Sequence, residues 1–197
     1  MKSFKQYITE TPILDATSRG VSKYLTKQPP PMVPGKLIGR VGSYSLIRPH
    51  DIEDILQRYS HRVDDIYHIV HKKKIVGELP VSVSQFGMTV HNPMIHYEHA
   101  GKKAKVRNLV PKLYGLLADK TNRRIYSGLT QSLGGASVWE RLAFMRPVTL
   151  HNDLKGTRTL YDPKVHKRIA YGRRGADSHG VDFTLSISPI RPKRKKK

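Results

Sequence analysis

The chain has 197 residues, 38% of them hydrophobic, with 36 Lys and Arg against 15 Asp and Glu and a formal charge of +21. This length supports one sizeable core with tails. The lack of cysteine excludes disulfides, thiolate metal sites and thiol nucleophiles, and no apolar run reaches the length of a membrane-spanning helix or a signal-peptide core. In chain order, the first stretch with a pattern is Met1 to Glu10. Phe4, Tyr7 and Ile8 fall at i, i+3 and i+4, so a turn and a half of helix puts three apolar groups on one face with Lys2, Lys5 and Gln6 opposite. Pro12 ends it, and a helix this short depends on a partner to fold.

The same ten residues resemble the capsid-targeting propeptide of the internal head proteins of large contractile-tailed bacteriophages. The likeness rests on the Met-Lys start, the aromatic amphipathic run and the ending Ile8-Thr9-Glu10. Of the five glutamates, only Glu10 has Leu or Ile two places before it. The resemblance implies targeting to the prohead scaffold or core, cleavage by a prohead protease at the site formed by Ile8, Glu10 and Thr11, and packaging with the phage genomic DNA. It implies residence in the virion and then in the host cytoplasm, where a host protein is a further partner. A frayed terminal turn without a message is the alternative reading of these residues.

Residues 11–35 read as a basic linker. A short helix is expected from about Ser18, and Gln28-Pro-Pro-Pro-Met-Val-Pro-Gly35 forms an extended polyproline spacer. A folded domain is expected over 36–188. Leu37 to Ile47 alternates loosely as a strand, and Pro49 to Tyr59 reads as a helix with acidic residues in its first turns. Ile66 to Val70, Ile75 to Gln85 and Met88 to Ile95 read as three antiparallel strands, with hairpin turns at His71-Lys-Lys-Lys74 and Phe86-Gly87. Gly101 to Asp119 carries the strongest helical stripe, which Pro111 is expected to kink or interrupt. Arg124 to Gly128 is a strand, Gly134-Gly135 opens a helix through Trp139 and Leu142, and Val148 to His151 and Val181 to Ser188 are strands. Residues 189–197 form a basic, disordered tail. The order gives an α+β fold, a mostly antiparallel central sheet with flanking helices and basic tails.

That order is similar to the GNAT-type acyltransferase fold. The resemblance is carried by Ile75-Val-Gly-Glu78, by Met88 to Lys103 leading into the long helix, by Ile125-Tyr-Ser-Gly128 and by Ser132-Leu-Gly-Gly-Ala-Ser-Val-Trp-Glu-Arg-Leu142. It implies acetyl-CoA as cofactor, with its pyrophosphate on a helix N-terminus near Gly101, Lys102 and Lys103, and Glu78 as general base. Gly101 matches the family's phosphate loop, whereas Glu98 and Lys103 depart from it, and Trp139 stands where the family's acid is not matched. The reading leans away from an enzyme and expects no cofactor. The ranked functions are an internal head protein bound to DNA without sequence preference, then an N-acetyltransferase acting on a host or phage protein, then a nucleic-acid-binding regulator.

A surface so positive repels itself and attracts polyphosphate, releasing counterions as it binds. The cations expected to meet nucleic acid are Lys72, Lys73 and Lys74 in a turn and Lys105 and Arg107 ahead of the long helix. Arg173 and Arg174 join them, with the tail cations Arg191, Lys193, Arg194, Lys195, Lys196 and Lys197. Tyr161 and Tyr171 interleave with Arg173 and Arg174, either as a stacking platform or as tyrosines of a basic loop. His96-Tyr-Glu-His99 and the pair His68 and His71 lack the spacing of a metal site. No metal is expected, and a membrane is not among the expected partners.

Overall fold

The computed structural model describes residues 34–56, 63–91, 93–95, 108–127, 133–152, 155–166 and 183–190. The leader over 1–10, the linker up to residue 33 with the helix expected from Ser18, and the tail from residue 191 lie outside them. The elements in chain order are β1 (Gly35–Val41), β2 (Tyr44–Pro49), α1 (Glu53–Leu56), β3 (Asp65–His71), β4 (Lys74–Ser84), β5 (Gly87–Val90) and β6 (Met94–Ile95). They continue with α2 (Leu109–Thr121), β7 (Ile125–Ser127), α3 (Leu133–Ala143), β8 (Thr149–Asn152), β9 (Thr157–Leu160) and β10 (Phe183–Ile187). The architecture is α+β with mostly antiparallel, open sheet, as the element order implies. The chain divides into two compact units, one ending at Val83 and resuming over Val90–Leu109, the other formed by Ser84–Thr89 and the chain from Val110 onward.

The first unit is an antiparallel meander, β1-β2-β3-β4, with β6 on β4. β3 and β4 are buried along nearly their whole length, from Asp65 to Val70 and from Ile75 to Val81. Strands covered on both faces read as continuous apolar runs, which is why these two are plain in the sequence. Leu46, Ile66, Ile69, Val76, Leu79 and Val81 are fully buried, each contributing about 1.5–3 kcal/mol of transfer free energy before entropy is charged.

Two expectations here need correction. Leu37 to Ile47 is not one strand: Val41 pairs with Tyr44, leaving Gly42 and Ser43 as a two-residue turn with Gly42 at φ 59°. A left-handed first turn residue followed by an ordinary one suits a tight hairpin and favours glycine first. The helix expected over Pro49 to Tyr59 is helical at Glu53–Leu56, and residues 57–62 lie outside the described set.

In the second unit the strand order is β5-β7-β10-β8-β9, so the last described strand is inserted between β7 and β8. Insertion makes β10 central, and Leu185, Ser186 and Ile187 are buried in succession. Ser186 is satisfied by His151, whose Nε2 lies 2.7 Å from its Oγ, and Ser127 Oγ accepts the Leu185 N–H at 3.0 Å. The helices bury Leu113, Leu117, Ala118, Trp139 and Leu142, with Tyr114 edge-on to Trp139 at 5.7 Å.

Further differences from expectation lie beyond β4. Met88 to Ile95 is split into β5 and β6, with Pro93 between them. The long helix is described over Leu109–Thr121, with 101–107 outside the described residues, and it runs through Pro111 without interruption. Pro111 sits in the first turn, where its missing N–H has no intrahelical acceptor to lose. β9 lies in a segment read as a basic loop, because Thr157 to Leu160 are all exposed and give no apolar alternation.

Candidate nucleic-acid interface

The turn between β3 and β4 is set by register. Val70 pairs with Ile75 and His71 with Lys74 after a bulge, which leaves Lys72 and Lys73 as the two central residues of the hairpin. Both have left-handed backbone, at φ 49° and φ 62°. Two positive φ values in succession define the tight hairpin turn that normally carries Asn-Gly. A side chain in that region costs about 1–2 kcal/mol per residue, since its Cβ crowds the following carbonyl.

The turn does not stand alone. Tyr44 pairs with His71 across β2 and β3, so the Gly42-Ser43 turn and the Lys72-Lys73 turn lie at the same end of the sheet. The rings of Tyr44 and His71 stack at 4.6 Å, and the His71 Nδ1–H donates to the Ser43 carbonyl at 3.3 Å. Arg40, opposite Ser45 on β1, adds an exposed guanidinium near this end. Lys72, Lys73 and Lys74 are exposed, so three predicted cations are brought together with one, Arg40, that the sequence did not single out.

The acids of this unit are elsewhere. Among the described residues, Asp64 and Asp65 sit at the opposite end of β3, Asp51, Glu53 and Asp54 follow the far end of β2, and Glu78 is buried. The six residue steps of β3 from Asp65 to His71 span about 20 Å, against a Debye length of about 8 Å at physiological salt. The acids are also engaged: Arg48 Nε donates to both oxygens of Asp65 at 3.0 and 2.8 Å, and the Val83 N–H donates to Asp64 Oδ2 at 2.6 Å. The hydrogen bond to Asp65, reinforced by its charge, raises the pKa of Arg48. Among the described residues, the turn end therefore presents positive charge with no exposed carboxylate beside it.

Glu78, the expected general base, lies in the middle of β4 directly opposite His68 on β3. His68 Nε2 and Glu78 Oε1 are 3.5 Å apart, with the side chains 3% and 7% exposed. His68 and His71 are three residues apart on one strand and so project to opposite faces, which prevents them from sharing a metal. No group of three metal-ligating side chains converges among the described residues.

In the second unit two arginines, Arg124 and Arg146, are used internally. Arg146 bridges Asp119 and the Ser188 carbonyl, and Arg124 Nε donates to Ser188 Oγ at 3.3 Å. Tyr161 is buried and stacks near His166, so it belongs to the core and not to an aromatic platform. Gly101, Lys102, Lys103, Lys105, Arg107, Arg173, Arg174, the tail cations from Arg191, and the cleavage residues Ile8, Glu10 and Thr11 lie outside the described residues. Comparison of the chain with protein-family models, with curated proteins and with solved structures returns no match.

Proposed function

We propose that the chain is an internal head protein of a large contractile-tailed bacteriophage that binds packaged DNA through its phosphates without sequence preference. The observation that carries the DNA-binding part is the cationic turn end of the first unit, about 20 Å along β3 from Asp65, with the nearer Glu78 buried opposite His68. A charge of +21 spread along the chain adds the long-range attraction. The likeness of Met1 to Glu10 to a capsid-targeting propeptide supports the virion as destination, the prohead core and its protease as transient partners, and delivery to the host cytoplasm and a host protein.

Mass spectrometry of purified particles tests this reading. The expected result is a chain beginning at Thr11 inside the particle; particles without it, or carrying it with Met1 to Glu10 attached, contradict the reading.

A second reading is a GNAT-type acetyltransferase using acetyl-CoA, with a GNAT-like fold. It is favoured by Glu78, a carboxylate held on a central strand against His68. It predicts saturable acetyl-CoA binding that Glu78→Gln leaves intact while transfer is lost. Calorimetry that detects no acetyl-CoA binding removes it.

A further inference from the structure

We infer that the Lys72-Lys73 turn is a dedicated phosphodiester-binding tip, in which two lysines are kept in left-handed backbone at the expense of fold stability. The inference rests on the nucleic-acid reading above and names its contact site. Strain at a turn becomes informative when a better sequence is simple to specify. Here Asn-Gly meets both φ values at lower cost, since Gly has no Cβ and Asn tolerates the left-handed region, and the chain instead carries Lys at φ 49° and Lys at φ 62°. What Lys supplies and Asn-Gly lacks is charge, so charge at this point is the property the turn retains.

The surroundings hold the tip ready for a string of phosphates. The β3–β4 ladder closes directly beneath it at His71 and Lys74. The Tyr44 ring stacked on His71 and the Ser43 carbonyl fix the base of the turn from the neighbouring strand. The backbone of both lysines is thereby fixed before binding, which reduces the ordering cost of the contact. The turn ends a sheet and not a free ribbon, since β2 flanks β3 as far as Tyr44 and His71, so its lysines meet a duplex at the phosphates, contacts that carry no sequence information. An anionic membrane is the less suitable partner, because interfacial docking buries apolar side chains. Among the described residues of this unit the exposed large apolar side chains, Leu37 and Val83, sit on β1 and β4 away from the turn.

The test uses the full-length chain with a mixed-sequence DNA duplex over a salt series, beside thermal melting. Lys72→Asn with Lys73→Gly is expected to raise the melting midpoint by about 4–8 °C and to lower the slope of log affinity against log salt by about 1.8, for two lost phosphate contacts. Lys74→Gln, which removes charge from ordinary backbone, is expected to lower the slope by about 0.9 and to leave the midpoint unchanged. Lys112→Gln with Lys120→Gln, two exposed lysines of α2, is expected to leave the slope unchanged. An unaltered slope in the turn variant overturns the inference, as does an equal loss in the α2 variant or a lowered melting midpoint. Phosphatidylserine vesicles bound in preference to duplex, with the same loss in the turn variant, overturn the nucleic-acid assignment of the tip. A wild-type chain that fails to bind duplex at low salt defeats the DNA-binding function itself; one that binds while the turn variant binds equally well defeats only the tip.

Discussion

Removing the carboxylate of Asp119 should destabilise the second unit more than removing the arginine it holds. Arg146 Nη2 donates to Asp119 Oδ1 at 2.9 Å and to the Ser188 carbonyl at 2.7 Å, while the Ile190 N–H donates to the same Oδ1 at 2.8 Å. The node thus ties α2, the segment after α3 and the exit of β10. The Arg146 side chain is 7% exposed and that of Asp119 36%. Breaking a fully buried pair from one side costs about 3–5 kcal/mol, and the exposure of Asp119 brings Asp119→Ala down to about 2–3 kcal/mol. Arg146→Met keeps the aliphatic stem and leaves a carboxylate that water can reach, so it should cost about 1–2 kcal/mol. The double variant should resemble Arg146→Met alone, a coupling of about 2–3 kcal/mol. Urea denaturation of the three variants at neutral pH measures the cycle. Additive single effects would show that the guanidinium and carboxylate act independently and refute the reasoning.

Three other outcomes follow from single positions. Gly87→Ala should cost about 3 kcal/mol, as backbone strain adds to a steric clash: its φ is +152° and an added Cβ would lie 2.4 Å from the Arg124 carbonyl oxygen. An unchanged urea midpoint would show that β5 can shift. Burial pushes the Tyr114 phenol well above its ordinary value, so the stability it contributes is fully present below about pH 10 and is lost as pH rises from there toward the folded value. Tyr114→Phe should flatten the alkaline loss of stability in urea titrations, and an unchanged alkaline slope would contradict that origin. Asp65→Asn should cost about 1–2 kcal/mol, because it weakens the bond to a half-exposed Arg48 while retaining one oxygen for the Ile66 N–H; chemical denaturation reads it, and a gain in stability would show that burying the carboxylate outweighs its bonds.

The parts of the fold legible in the sequence are those in which one pattern covers the whole element. β3 and β4 are long apolar runs, and α2 and α3 carry helical stripes that end in Leu117 and Leu142. β1 and β2 merge in the sequence because the turn between them, Gly42-Ser43, interrupts no strong alternation. β9 escapes because an edge strand with Thr157 to Leu160 all exposed has no buried face to imprint a period of two. The candidate site divides in the same way. Lys72 to Lys74 announce a turn by composition, whereas the place of Arg40 and the support from Tyr44 depend on pairing register across three strands. The facing of Glu78 and His68 depends on the bulge after Ile69, which no local pattern marks.

Sequence-independent binding of phosphate is the claim on which the functional account turns, and two duplexes of equal length and unrelated sequence measure it directly. With the full-length chain at fixed salt, the account predicts the same affinity for both and a steep, parallel decline as salt rises. Discrimination of 1,000-fold or more, on the order of that shown by specific DNA-binding proteins, or affinity that ignores salt, would contradict it.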